Sequence, residues 1–220
     1  MRKNTLGYYV SGCLLAAALL FACGCALQKG KVLDDNDPMR TGSHKAGSEV
    51  YDPAADSAVS GLLAKAEGAL AERGNTGQGK SRVCFIGVEN AGAEEMGDLK
   101  QDLDEMIRTK ITQSPRFETI DSRTVAAALR KTGMRSDDLL LPESRGQFVN
   151  ALGGMGSSFD YILFAKVTTA TTRDNKDSQV KYALTLDLVD VNSGAPAARE
   201  SVALRKNYNK SAKAKVFGLF

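Results

Sequence analysis

Two cysteines near the N-terminus, Cys23 and Cys25, are the residues whose type and position point most directly to chemistry. They follow an apolar run from Val10 to Ala22, which itself follows the basic residues Arg2 and Lys3. A basic head, a short apolar body and small residues at its end are typical of a secretory signal. The run is too short to span a bilayer, which requires about 20 apolar residues. The pattern therefore predicts an exported chain in which a cysteine lies at the processing site.

The stretch LFAC, residues 20–23, resembles a bacterial lipobox, in which the thiol of the final cysteine receives a diacylglycerol. Leu20 fills the position three before the acceptor, which favours Cys23 as the lipidated residue. Cys25, at the end of ACGC, is the alternative because Phe21 is unusual in a lipobox. At least two acyl chains, at about 0.8 kcal/mol per buried methylene, anchor a protein stably. The residue after either acceptor is not aspartate, which favours the outer membrane, with the chain facing the periplasm.

The same N-terminus has two simpler interpretations besides lipidation. An ordinary signal peptide would leave two free cysteines, and an uncleaved inner-membrane anchor would need a longer apolar run. Cys84 lies in the apolar run VCFIGV, which favours a small core residue over a reactive thiol. A disulfide between Cys25 and Cys84 remains open in an oxidising periplasm.

No motif in the chain supports catalysis. The single histidine, His44, lies in a polar segment, and GxSxG, HExxH and P-loop patterns do not occur. The run GGMGSS at 153–158 lacks the Lys-Ser/Thr of a phosphate-binding loop, so we interpret it as a helix end. Glu94 and Glu95 are expected near the start of a helix, where its dipole favours acids. We therefore predict a protein that is not an enzyme and holds no metal or cofactor.

Charge and aromatic content argue against a nucleic-acid partner. The formal net charge is +3, and loss of Arg2 and Lys3 with the signal lowers it by two, to about +1. Tryptophan is absent and aromatic residues make up 6% of the chain, too few for a base-stacking platform. Basic residues do gather between Arg199 and Lys215. Such a segment is either solvated or meets an acidic partner or anionic lipid.

Composition divides the chain into a signal peptide at 1–22, a flexible tether at 23–53 and a globular domain at 54–220. The tether is rich in Gly, Ser, Asp and Lys and cannot bury a core, so we expect it to be disordered. From residue 26 to residue 53 its extended length is on the order of 95 Å, and its coil dimension is about 30 Å. The domain is expected to be a monomer.

Periodicity within the domain predicts the order α, β, α, β, α, α, β, β, β. The helical segments are DPAADSAVSGLLAKAEGALAER, DLKQDLDEMIRTKITQS, RTVAAALRKTG and PESRGQFVNALGG. The strand segments are SRVCFIGVENA, RFETID, DYILFAKVTTATT, QVKYALTLDLVDV and AARESVALRKNY. Asp121 or Ser122 is expected to cap the third helix, and Gly133 to end it. An early strand–helix–strand unit followed by a meander indicates an α/β (α+β) fold, with a mixed central sheet flanked by helices.

Five of these segments resemble, in order, the LpoB-type lipoprotein activators of penicillin-binding proteins. They are VCFIGVENAG, SPRFETIDS, FDYILFAKVTT, YALTLDLVDVNSG and ESVALRKNY, and the resemblance covers about residues 54–220. It implies a fold similar to the N-terminal domain of TolB. It also implies a non-catalytic outer-membrane regulator that binds a class A (bifunctional) penicillin-binding protein and raises its activity in peptidoglycan synthesis. The tether is shorter and less proline-rich than in enterobacterial members, which leaves the particular partner open.

The main alternative is an envelope-assembly or secretion lipoprotein related to the curli-secretion channel protein, whose periplasmic domain looks similar. A channel of that kind needs added barrel strands with alternating apolar faces. The sequence shows no additional hairpin of this type, so the activator is favoured.

Overall fold

The computed structural model describes residues 47–72, 79–174 and 177–209. The predicted signal peptide, both candidate lipidation cysteines, His44 and most of the predicted tether lie outside these residues. The basic segment beyond Asn209 lies outside them as well. Within the described ranges, no helix is both long and apolar enough to cross a bilayer.

The described residues form four α-helices, one 3₁₀ helix and five strands. In chain order these are α1 (Ser48–Glu72), β1 (Ser81–Asn90), α2 (Leu99–Gln113), β2 (Phe117–Thr119), α3 (Ser122–Thr132), the 3₁₀ helix (Ser136–Leu140), α4 (Pro142–Gly153), β3 (Tyr161–Asp174), β4 (Asp177–Asp190) and β5 (Pro196–Asn209). The predicted order of helices and strands is confirmed, and the 3₁₀ helix is an addition to it.

The five strands form one mixed sheet in the order β2-β1-β3-β4-β5. Strand β1 lies parallel to both β2 and β3, and β3, β4 and β5 form an antiparallel meander. Helices pack on both faces, so the predicted mixed sheet flanked by helices is confirmed.

The first face of the sheet is covered by α1 and α2. Helix α2 buries Leu103, Ile107 and Ile111, which recur at helical spacing on one side of it, against β1 and β2. Helix α1 lies across β4 and β5, where the alternating residues of β4 meet it. The buried β4 residues are Tyr182, Leu184, Leu186 and Leu188. The ion pair Lys65–Glu200, at 2.6 Å between Nζ and Oε2, also joins α1 to β5.

Helix α1 begins at Ser48, six residues before the expected domain boundary at residue 54. Val50 and Tyr51 are buried in the first core, and the Tyr51 ring meets the Tyr182 ring edge-on, with 6.1 Å between centroids. Pro53 lies inside the helix and removes one backbone hydrogen bond near its start. Burial of the two apolar side chains offsets that loss, whereas the polar composition around them suggested a tether.

The second face is covered only in part. Asp121 caps α3 by accepting backbone hydrogen bonds from Arg123 at 2.9 Å and Thr124 at 3.3 Å, and Gly133 ends the helix at φ 69°. The helices α3 and α4 and the 3₁₀ helix enclose a second core over β1 and the start of β3. Its members are Cys84, Ile120, Val125, Ala128, Leu139, Phe148, Leu152, Phe159 and Ile162. This layer ends before β4 and β5, and its boundary positions the site described next.

Candidate interaction surface

The second face of β3–β5 has no covering element within the described part of the chain. We define this open face by twelve outward-pointing residues that alternate with the buried ones. They are Lys166, Thr168, Ala170 and Thr172 of β3, Lys181, Ala183, Thr185 and Asp187 of β4, and Arg199, Ser201, Ala203 and Arg205 of β5. All are exposed or half-buried, and all are small, hydroxyl-bearing or charged. The face is therefore polar and charged, without a continuous apolar patch.

Opposite charges pair across strands at one end of the open face. Asp187 Oδ1 lies 3.2 Å from Arg199 Nε, and Glu89 Oε1 of β1 lies 3.2 Å from Lys166 Nζ. In each pair the two residues stand directly opposite each other in the sheet register. Pairs this exposed stabilise a fold by about 0–1 kcal/mol. Their main effect is to hold charged groups at defined places on the surface.

Like charges face each other toward the other end of the open face. Lys181 and Arg205 are directly opposite in the β4–β5 register, and both are exposed. Among the side chains that the structure describes, neither cation has an ion-pair partner. Like charges at opposed positions destabilise a sheet. The arrangement creates a basic patch about 20 Å from Asp187, given six residues at about 3.3 Å each.

A cleft of about 380 Å³ lies where the open face meets the helix layer. Its apolar lining comes from the side chains of Ile86, Leu140, Phe164, Val189 and Pro196, while Ala165 borders it with its backbone because its side chain lies in the first core. Its charged lining comes from the carboxylates of Glu89, Asp137 and Asp187 and the amine of Lys166. Leu140, at the end of the 3₁₀ helix, is 62% exposed, which is unusual for so large an apolar side chain. The cleft thus combines apolar walls with mainly acidic groups.

A β-bulge in β1 shapes one wall of this cleft. The register shifts between Phe85 and Val88, and Gly87 adopts φ 111°, a conformation available to glycine. The Val88 N–H donates to Asp104 Oδ1 at 3.2 Å, and Arg108 Nη2 donates to the Phe85 carbonyl at 3.1 Å. Asp104 and Arg108 are themselves paired at 2.9 Å. Two side chains of α2 therefore support the bulge from the opposite face of the sheet.

The structure places several residues that the sequence singled out. Cys84 is a free, fully buried thiol, and burial raises its pKa to about 12, partly opposed by the Arg108 charge, which confirms the core interpretation. Helix α4 ends at Gly153, which confirms the interpretation of GGMGSS as a helix end. Cys23 and Cys25 lie outside the described residues.

Two acidic residues have roles that the sequence did not indicate. Glu94 lies five residues before α2, and its carboxylate accepts a hydrogen bond from the Tyr182 hydroxyl at 3.1 Å instead of facing the helix start. Asp190 accepts from the backbone N–H of Ser193 at 2.9 Å and so fixes the β4–β5 turn. Among the described residues, no group of three His, Cys, Asp or Glu side chains could hold a metal ion.

Comparison with known proteins identifies a family. The sequence model of a family described as "Peptidoglycan-synthase activator LpoB" matches residues 53–197. Among solved structures, the chain is similar to the LpoB C-terminal domain from Escherichia coli, with 16% identity, a TM-score of 0.46 and coverage of 70% of this chain and 97% of that one. The LpoB C-terminal domain from Salmonella enterica has 13% identity and a TM-score of 0.43, and the match covers 71% of this chain and 96% of that one. Lipoprotein GNA1162 from Neisseria meningitidis has 17% identity and a TM-score of 0.41, and the match covers 60% of this chain and 88% of that one. None of the curated proteins compared with the chain matches it.

Proposed function

The chain belongs to the LpoB family of peptidoglycan-synthase activators, and from that premise we propose that it binds a class A, bifunctional penicillin-binding protein and stimulates it. The observation that carries the proposal is the family match over 53–197, which runs from α1 to the start of β5. Members of an activator family regulate an enzyme, which agrees with a sequence that lacks a catalytic motif. The action we propose is binding alone: the chain holds the synthase in a more active state without taking part in its chemistry.

The anchor is the second part of the proposal. The chain is held in the outer membrane by lipid on Cys23, or alternatively on Cys25, and faces the periplasm as a monomer. The apolar run and the LFAC stretch before Cys23 support this. Residues 23–47 precede α1, and their extended length is on the order of 85 Å. That length lets the domain approach a synthase that projects through the peptidoglycan from the inner membrane.

Labelling with radioactive palmitate in the source organism tests the anchor. Cys23→Ser is expected to abolish labelling and outer-membrane fractionation, while Cys25→Ser, its matched control, retains both. The reverse result would assign the lipid to Cys25. Labelling of neither the wild type nor the Cys25→Ser chain would show that the N-terminus is not lipidated.

The stimulation test uses the full chain purified in detergent. It is added to each class A penicillin-binding protein of the source organism, and glycan-chain synthesis from lipid II is followed together with peptide cross-linking. A rate increase with one enzyme is expected and would identify the partner. Unchanged rates with every enzyme, from a chain whose circular dichroism shows it folded, would overturn the proposed function.

A further inference from the structure

We propose that the cleft beside the open face accepts a lysine or arginine side chain of the partner synthase and so anchors the complex. The inference rests on the proposed function for the identity of the partner. The chemistry it assigns to the cleft is argued from the cleft alone.

The shape and walls of the cleft suit a long side chain. Its volume of about 380 Å³ leaves room for one side chain with accompanying water. Phe164 of β3 and Val189 of β4 provide apolar contacts inside it, and Leu140 extends that apolar surface to the mouth. Lysine and arginine bury an aliphatic stem along such a surface while the charged head stays among polar groups.

The charges of the cleft select a cation. Three carboxylates line it against one amine, and that amine, on Lys166, is already paired with Glu89 at 3.2 Å. Asp187 is paired with Arg199, but Asp137 is exposed and has no ion-pair partner within the described ranges. An anion would meet net negative charge here. A purely apolar group would remove water from the carboxylates without replacing its hydrogen bonds, which is unfavourable.

The cleft is formed before any partner binds. The bulge at Gly87 is held from behind by α2, and the start of the 3₁₀ helix is held by the Arg135 N–H, which donates to Asp138 Oδ2 at 2.7 Å. A rigid site avoids the cost of ordering its own side chains on association. Arginine is also among the residues that most often dominate the energetics of protein interfaces, where it fills a pocket near the centre.

Two adjacent leucines provide a matched pair of variants. Leu140 is 62% exposed and lines the cleft, whereas Leu141 is 60% exposed and does not. Asp137 in the cleft has a counterpart in Asp102, which is exposed on α2 at the other face of the sheet. Leu140→Ser and Asp137→Asn test the cleft, and Leu141→Ser and Asp102→Asn are their controls.

The first experiment needs no synthase. The full chain in detergent micelles is titrated with N-acetyl-L-arginine amide, with N-acetyl-L-norleucine amide and with N-acetyl-L-glutamate amide, and methyl NMR shifts are recorded. We expect the arginine derivative to shift the methyl groups of Ile86, Leu140 and Val189, and Asp137→Asn to weaken that response while Asp102→Asn does not. Equal shifts with all three probes, or none with arginine, would overturn the proposed chemistry of the cleft.

The second experiment measures affinity for the synthase that the stimulation assay identifies. Leu140→Ser and Asp137→Asn are each expected to weaken binding about tenfold, as loss of an interface anchor does, with both controls close to the wild type. If the cleft variants bind as tightly as the wild type and the wild type still stimulates, the cleft inference fails and the proposed function stands. If the wild type stimulates no class A enzyme, the proposed function fails, and the probe titration alone decides the chemistry of the cleft.

Discussion

The ion pair between Asp104 and Arg108 provides a test of how α2 stabilises the bulge in β1 that borders the cleft. The prediction is that the two residues act as one unit that stabilises the bulge in β1. Three variants test it: Asp104→Ala, Arg108→Met and the double variant. Methionine keeps much of the arginine volume beside the Phe85 ring, over which the guanidinium carbon now lies at 4.7 Å from the ring centroid.

The expected magnitudes follow from the contacts that each change removes. Asp104→Ala leaves the Val88 N–H without its acceptor, which costs about 1–3 kcal/mol, because a buried donor then has no partner. Loss of the ion pair adds about 1 kcal/mol, discounted because the two side chains are 24% and 17% exposed. Arg108→Met leaves the Phe85 carbonyl without its donor and removes the cation–π contact, at about 1–3 kcal/mol together. Arg108 Nη1 is buried without a hydrogen-bond partner in the described structure, so its removal recovers part of that loss.

The stability of the double variant shows whether Asp104 and Arg108 act together or independently. Each single variant already loses the ion pair, so the double variant should be less destabilised than the sum of the singles by about 1 kcal/mol. Urea unfolding followed by circular dichroism measures all four chains, with the dependence on urea concentration checked for constancy. The same variants should weaken the response to N-acetyl-L-arginine amide, although neither residue lines the cleft. Single-variant losses that add within about 0.3 kcal/mol would refute the reasoning, as would a loss below about 0.5 kcal/mol for Asp104→Ala.

Three further predictions concern single positions. Lys181→Glu should stabilise the domain by about 0.5 kcal/mol in low-salt urea unfolding, because it turns the like-charge contact with Arg205 into an opposite-charge one; a destabilised variant would contradict this. Burial raises the pKa of Cys84 from 9.0 to about 12, so the folded chain keeps a proton that the unfolded chain releases. Its contribution to stability is complete below pH 9 and is lost between pH 9 and 12, and Cys84→Ala should lack that decline in the pH dependence of unfolding. Gly87→Ala should lower the free energy of unfolding, measured with urea, by about 1–3 kcal/mol, because φ 111° strains an L-residue. An unchanged urea midpoint would contradict this and show that the bulge relaxes.

Local patterns predicted the regular elements well. The stripe through Leu103, Ile107 and Ile111 indicated both α2 and the side it buries. The alternation of polar and apolar residues in β4 indicates that Lys181, Thr185 and Asp187 point away from the first core, and their exposure agrees with this. These predictions succeed because each depends on a period that a few consecutive residues set.

Sequence periodicity does not predict three features of the structure: the start of α1, the 3₁₀ helix and the cleft. Val50 and Tyr51 are isolated apolar residues in a polar stretch, and only their tertiary contacts with β4 show that they belong to the core. The 3₁₀ helix at Ser136–Leu140 is too short to display a period. The cleft is assembled from β1, the 3₁₀ helix, β3, β4 and the start of β5, so no continuous segment contains its signature. The only hint of the cleft in the sequence is the pair Leu140 and Leu141 before Pro142, two large apolar residues that are exposed in the structure.

The position of α1 gives the domain a mechanical property. With the lipid anchor proposed above, any pull from the membrane enters the fold at Ser48, the first residue of a 25-residue helix about 37 Å long. That helix lies across β4 and β5 and is tied to them by buried side chains and by Lys65–Glu200. Tension would therefore peel α1 from the sheet, starting at Val50 and Tyr51, before it reached the strands that form the open face. An anchored chain would thus place α1 between the moving envelope and the open face.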